Sequence, residues 1–61
     1  MDIESLALMV DAYSTTHKIN IRESYHECCV FLKREDEESF DEFKQIKQYL
    51  FDLPRKMEGQ K

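Results

Sequence analysis

Glycine and proline are nearly absent from this chain of 61 residues, since Gly59 and Pro54 are the only examples. An all-β protein of this length needs several tight turns, and turns with positive φ usually take Gly, Asn or Asp. The scarcity of such turn residues therefore argues against a β-sheet protein and favours a helical one.

Long hydrophobic runs are also absent. No unbroken apolar run exceeds five residues, the length of the run at residues 6–10, whereas a membrane-spanning helix needs about 20. The flanks of this run are acidic (Asp2, Glu4 and Asp11), which is the opposite of the positive start of a signal peptide. We therefore predict a cytoplasmic protein with no membrane partner.

Basic residues are outnumbered: nine Lys and Arg stand against 13 Asp and Glu, and the net charge is −4. A general affinity for nucleic-acid phosphate needs clustered basic residues, so we do not expect a nucleic-acid ligand. Apolar residues make up 41% of the chain and charged residues 36%. This apolar content is enough for a folded core and argues against global disorder.

Cysteine is limited to the adjacent pair Cys28 and Cys29. A disulfide between neighbours is strained and closes almost no loop, so it would not stabilise the fold. We expect both residues to be reduced thiols that pack as small buried apolar side chains.

Apolar residues recur at spacings of three and four in three segments, residues 3–16, 21–34 and 39–53, which predicts three short amphipathic helices. Their apolar stripes are Ile3, Leu6, Val10 and Tyr13; Ile21, Tyr25, Cys28 and Leu32; and Phe40, Phe43, Ile46 and Leu50. The predicted fold is a single all-α domain over residues 1–53. It would be a helical hairpin or a small bundle, with dimerisation left open.

Helix starts and stops are also predicted from the sequence. Asp2 is a candidate N-cap, and residues 20–23 and 39–42 each have the spacing of a capping box, in which the first side chain caps the helix. Pro54 is expected to end the third helix, because the residue before proline disfavours helical geometry. Residues 54–61 would then form a flexible tail.

An acidic block interrupts this pattern, because six of the eight residues 35–42 are carboxylates. One helix over residues 21–53 is an alternative, since no Gly or Pro separates the second and third segments. However, residues 33–39 contain no apolar residue, and the stripe positions Leu32 and Phe40 are about 80° out of phase. We therefore predict a turn near residues 35–38, the part of the block without an evident structural role.

Catalytic and metal-binding patterns are weak. His17, His26, Cys28 and Cys29 are potential zinc ligands, but structural zinc sites pair ligands in loops, with a second pair elsewhere. A catalytic Cys–His pair needs a pocket and an oxyanion site, which so short a helical chain offers little room to build. We predict no catalytic residue, no cofactor and no metal, and hence no enzyme.

Several apolar residues lie off the stripes, including Leu8 and Val30. Because aromatic residues anchor protein interfaces, we predict contact with a protein partner, or with a second copy as a homodimer. The candidate contact residues are three aromatics with an acidic rim: Phe31, Tyr49 and Phe51, with Glu35, Asp36, Glu37 and Glu38. The alternatives are a monomer with wide apolar helix faces, and an acidic block that is only a solvated turn.

A helix-turn-helix DNA-binding regulator is the alternative function, because three short helices form its framework. The third segment would be the recognition helix and would offer four polar side chains, Lys44, Gln45, Lys47 and Gln48. Its N-terminal turn carries Glu38, Asp41 and Glu42, whose carboxylates would face phosphate groups.

The chain opens with the sequence MDIESLA at residues 1–7, followed by amphipathic helices in a small, acidic, glycine-poor protein. In this overall character it resembles the small early-region accessory proteins of lambdoid temperate bacteriophages, in particular those encoded between the recombination and excision genes. The resemblance implies a non-enzymatic modulator of host or phage development that binds another protein in the host cytoplasm. No functional residue is carried over, and small bacterial regulators fit the residues equally well.

Overall fold

The computed structural model describes the backbone of residues 2–59 and the side chains of residues 2–53. This part of the chain contains α1 (Ile3–His17), α2 (Ile21–Phe31) and α3 (Phe40–Gly59), with a short 3₁₀ turn at Glu35–Glu37 between α2 and α3. The prediction of an all-α protein with three helices is therefore confirmed. The turn near residues 35–38 is also confirmed, and the single helix over residues 21–53 is wrong.

The capping predictions hold for two of the three helices. The Asn20 side-chain oxygen accepts a hydrogen bond from the Glu23 amide at 2.7 Å, and the Ser39 hydroxyl accepts one from the Glu42 amide at 3.0 Å. Asp2 occupies the N-cap position of α1, but its side chain makes no capping hydrogen bond.

The first two helices end without glycine. Lys18 and Lys33 adopt the left-handed conformation, with φ of 55° and 61°. After α2 the Arg34 amide donates to the Cys29 carbonyl at 2.7 Å and the Lys33 amide to the Val30 carbonyl at 3.1 Å, a pair that forms a Schellman motif. The predicted extension of the second helix to residue 34 is therefore wrong, because this motif ends α2 at Phe31.

Pro54 does not end the third helix. The backbone of α3 stays helical to Gly59, so the predicted stop is wrong and the predicted tail is helical over residues 54–59. Proline lacks only its own N–H, which would have bonded to the Leu50 carbonyl, and the neighbouring residues can still form theirs. Residues 60 and 61 lie outside the described part of the chain.

The core lies around α1, which packs against both α2 and α3, while α2 and α3 contact each other less. The buried apolar residues are Leu6, Ala7, Val10, Tyr25, Cys28, Cys29 and Ile46. Both cysteines are free thiols, as expected. Phe40 was assigned to the core stripe, but its side chain is 73% exposed, because Phe43 and Ile46 face the core and Phe40 lies on another side of α3.

Ser24 is a buried polar residue that the apolar pattern does not include. Its hydroxyl donates to the Val10 carbonyl at 2.6 Å and so links α2 to α1. The bond satisfies a polar group that is fully buried, and burial without a partner would cost about 1–3 kcal/mol. Within residues 2–59 no helix has the length and hydropathy needed to span a bilayer.

Candidate interaction surface on helix α3

Four side chains form an outward-facing row on α3. Phe40, Lys44, Lys47 and Phe51 follow one another at spacings of four, three and four, so they share an arc of about 60° on the helix. All four are exposed, and Phe51 is 62% exposed. We call this row the α3 stripe.

The two lysines of the α3 stripe lie over aromatic rings. The Lys44 ammonium is 5.4 Å from the centre of the Phe40 ring, and the Lys47 ammonium is 5.5 Å from the centre of the Phe43 ring. Such contacts are worth about 0.5–1 kcal/mol at an exposed site. Among residues 2–53 neither lysine forms an ion pair, so both charges are available to a ligand.

Two shallow depressions accompany the α3 stripe. The first has a volume of about 180 Å³ and is lined by Arg22, Tyr25, Glu38, Ser39, Phe40 and Phe43. The second has a volume of about 300 Å³ and is lined by Lys44, Lys47, Gln48 and Phe51. Small-molecule pockets usually hold about 300–1,000 Å³, so the first depression is too small for a cofactor and the second lies at the lower limit of that range.

A polar network fixes the start of α3. The Tyr25 hydroxyl donates to one carboxylate oxygen of Glu42 at 2.7 Å, and Arg34 donates to the other at 3.0 Å. The Tyr25 hydroxyl also accepts from the Ser39 amide at 3.1 Å. In a standard capping box the Glu42 side chain would bond that amide; here Tyr25 replaces it and joins α2 to α3.

The protonation states follow from these contacts. Burial raises the pKa of Tyr25 above its ordinary value of 10.0, and the hydrogen bond to Glu42 raises it further. Burial also raises the pKa of Glu42, but the hydrogen bonds from Tyr25 and Arg34 outweigh it, and the pKa falls below 4.5. Tyr25 is therefore a neutral donor to an ionised carboxylate.

The acidic turn has a structural role that the sequence did not reveal. Glu38 lies 2.8 Å from the His26 ring and 3.5 Å from the Arg22 guanidinium, and Glu37 lies 3.4 Å from the Arg34 guanidinium. The interpretation that residues 35–38 lack a structural role is therefore wrong for Glu37 and Glu38. Glu35 and Asp36 are exposed and are the members left for an anionic rim.

Comparisons with known protein families, curated proteins and solved structures find no significant match.

The three aromatic residues predicted to contact a partner differ in their surroundings. Phe31, the last residue of α2, is 76% exposed, and Phe51 belongs to the α3 stripe. Tyr49 instead packs against the core, where burial and the nearby Glu4 carboxylate raise its pKa. Phe40, which the apolar pattern assigned to the core, takes its place on the surface.

Metal-ligand types do not converge in the described residues. No group of three or more His, Cys, Asp and Glu side chains there could hold a metal ion. His26 faces Glu38, while Cys28 and Cys29 lie in the core.

Proposed function

We propose that this chain is a small non-enzymatic regulatory protein that acts by binding another protein through the α3 stripe. The observation that carries the proposal is the exposure of Phe40 and Phe51 on one helix face with two lysines between them. Large exposed aromatics are unfavourable in water, and they are the side chains that anchor interfaces. The polar groups Tyr25, Arg34 and Glu42 bond one another within the fold, which favours a binding role over a catalytic one.

The stripe is presented on a fixed element. The contacts of Tyr25 and Arg34 with Glu42 hold the first turn of α3 beside Phe40 and Lys44. A surface that is already in its binding geometry loses less conformational entropy when a partner docks. This preorganisation supports the use of α3 as a recognition helix for protein.

The proposed setting is the one that the resemblance to lambdoid phage accessory proteins implies. The chain would be a phage-encoded modulator of host or phage development that works in the host cytoplasm. Its small, acidic, all-α character supports this setting.

DNA binding remains the second candidate because Lys44, Lys47 and Gln48 are exposed on α3. The connections give it less support. A helix-turn-helix joins its helices by a turn of three or four residues, whereas α2 and α3 are joined by residues 32–39. The short turn at residues 18–20 instead leads into α2, which exposes Glu23 and Glu27.

Affinity capture from a bacterial lysate tests the protein-binding proposal. We expect a protein retained by the natural chain to be lost with the double variant F40A/F51A, because both anchors are removed. Leu8→Ala is the matched control, since Leu8 is an exposed apolar residue on α1, and it should retain the protein. A captured protein that survives F40A/F51A would contradict the proposal.

Two further arms separate the other hypotheses. E35Q/D36N tests the anionic rim, and a moderate loss of the captured protein is expected if these carboxylates steer it. Binding to duplex DNA that weakens steeply with salt and disappears in K44A/K47A would favour the DNA-binding candidate instead.

A further inference from the structure

A second exposed face of the molecule has the opposite charge. On α2, Glu23, Glu27, Val30 and Phe31 follow the spacing of one helix side, and all four are exposed. Val30 is 42% exposed and Phe31 is 76% exposed. We call these residues the α2 face. Among residues 2–53 neither of its glutamates forms an ion pair.

The α2 face and the α3 stripe carry opposite charges at similar spacings. Glu23 and Glu27 are about 6 Å apart along their helix axis, and Lys44 and Lys47 about 4.5 Å apart along theirs. On each helix an aromatic residue lies four positions from a charged one. Phe31 follows Glu27 on α2 in this way.

On α3 the same spacing occurs at both ends of the stripe. Phe40 precedes Lys44 by four residues, and Phe51 follows Lys47 by four. When the two faces lie together in an antiparallel direction, Glu27 meets Lys44, Glu23 meets Lys47, and Phe31 meets Phe40 beyond the Glu27–Lys44 pair.

We propose that a second copy of this chain docks on the α3 stripe through its α2 face. This inference rests on the proposed function, because it assigns an occupant to the same docking surface. The charge complementarity of the two faces carries it. Two copies of the α3 stripe would not pair with each other, because antiparallel stripes would place Lys44 against the Lys47 of the second copy.

The contact is expected to be weak. Each contact joins one face of a single helix on one copy to one face of a single helix on the other. Such a contact buries less than the area of about 1,200–2,000 Å² that a standard stable interface buries. Two such contacts made reciprocally close a two-fold dimer. Self-association should therefore show between about 10 µM and about 1 mM of the full chain at low salt.

Charge reversal on each face tests the contact by sedimentation equilibrium of the full chain. We expect K44E/K47E and E23K/E27K each to weaken self-association by about tenfold or more, because like charges then meet. Mixing the two variants should restore association, since the reversed faces complement each other. A single chain that carries all four substitutions, E23K/E27K/K44E/K47E, should also self-associate. This variant keeps the natural net charge of −4.

The control is D11K/T15K/T16K at exposed positions of α1, which changes the net charge as much as E23K/E27K does but lies outside both faces. It should leave self-association intact. Circular dichroism of each variant checks that the helices are kept, as expected for exposed positions. A natural chain that stays monomeric over the whole concentration range overturns the inference, as does a mixture that fails to restore association, or a loss with D11K/T15K/T16K.

Failure of this inference and failure of the proposed function give different results. If the natural chain is monomeric while K44E/K47E loses a captured protein, the stripe binds a foreign protein and the second copy is excluded. If the charge swap restores self-association while F40A/F51A leaves capture unchanged, the second copy is established and the foreign partner at the stripe is excluded.

Discussion

At the scale of single residues, Glu42 is the carboxylate of the acidic block that bonds to Tyr25 and Arg34. Its side chain accepts from both Tyr25 and Arg34, and both Glu42 and Arg34 are only 18% exposed. Arg34 Nη1 is already buried without a hydrogen-bond partner among the described residues. The network therefore has little tolerance for the loss of this carboxylate.

We expect Glu42→Gln to lower the free energy of unfolding by about 1–3 kcal/mol, because it weakens the bond to a largely buried guanidinium. Urea denaturation at neutral pH measures the change. Asp41→Asn, at the neighbouring exposed carboxylate, is the control and should change the free energy by less than about 0.5 kcal/mol. Equal effects of the two substitutions would contradict the role given to Glu42.

The pH dependence follows from the same carboxylate. The pKa of Glu42 is lower in the folded chain than its ordinary value of 4.5. Its contribution to stability is therefore complete above pH 4.5 and is lost as the pH falls through the folded value. We expect Glu42→Gln to lose less stability than the natural chain between about pH 6 and about pH 3. Parallel losses in urea denaturation would show that other groups control acid unfolding.

Some features of the fold could be predicted from sequence and others could not. The thiols of Cys28 and Cys29 and the cap at Asn20 depend on local pattern, and both predictions were confirmed. Ser24 was missed because its burial depends on the Val10 carbonyl of another helix. Phe40 was misassigned because periodicity does not show which side of α3 the neighbouring helices cover.

At the scale of helices, the two lysines in left-handed geometry, Lys18 and Lys33, are positions where a substitution can raise the stability of the fold. An L-residue pays about 1–2 kcal/mol for this conformation, and glycine pays almost nothing. We expect Lys33→Gly to raise the free energy of unfolding by about 0.5–1 kcal/mol, after the larger entropy of the unfolded glycine is included. Lys44→Gly, in the interior of α3, should lower it by about 1 kcal/mol. Urea denaturation of both variants checks the opposite signs, and a loss at Lys33 would contradict its left-handed φ.

Pro54 gives the second prediction at this scale. Because the backbone is helical on both sides of it, Pro54→Ala should restore a hydrogen bond to the Leu50 carbonyl and raise the free energy of unfolding by about 1–3 kcal/mol. Pro54→Gly is the control and should gain less, since glycine has a low helix propensity. Unchanged helical circular dichroism and unchanged stability in Pro54→Ala would place the end of α3 before Pro54.

Helix starts proved easier to predict than helix ends. A capping side chain and its target amide lie three residues apart, so the start of a helix can be predicted from a short stretch of sequence. The end of α2 is a Schellman motif in which Lys33, and not a glycine, adopts the left-handed conformation. A lysine in the sequence does not indicate such a helix end. The end of α3 was misplaced because a proline disfavours a helix without forbidding it.

At the scale of the whole molecule, the helical class followed from composition, because scarce glycine and proline leave few other folds. The arrangement did not, since nothing in the pattern shows that α1 would contact both other helices. The exposed surface depends on that arrangement, because burial by α1 determines which sides of α2 and α3 remain open. Phe51 was therefore correctly placed off the apolar stripe, while Phe40 was wrongly assigned to it.

The two proposals together predict competition for one surface. A second copy and a foreign protein would both occupy the α3 stripe, so the apparent affinity for the foreign protein should fall as the chain concentration rises. We expect E23K/E27K, which keeps the stripe but loses the α2 face, to bind a captured protein more tightly at high concentration. Titration of the purified protein measures this, and D11K/T15K/T16K, at exposed positions of α1, should behave like the natural chain. Equal affinities at every concentration would show that the two occupants do not share a site.

The central position of α1 also has a consequence for synthesis of the chain. Ribosomes complete α1 and α2 before α3, so the side of α1 that packs against α3 stays wet until the last helix emerges. Until then the Tyr25 hydroxyl and the Arg34 guanidinium lack Glu42, their shared acceptor. Released chains that are truncated before residue 42 would therefore expose apolar surface and are natural clients for chaperones.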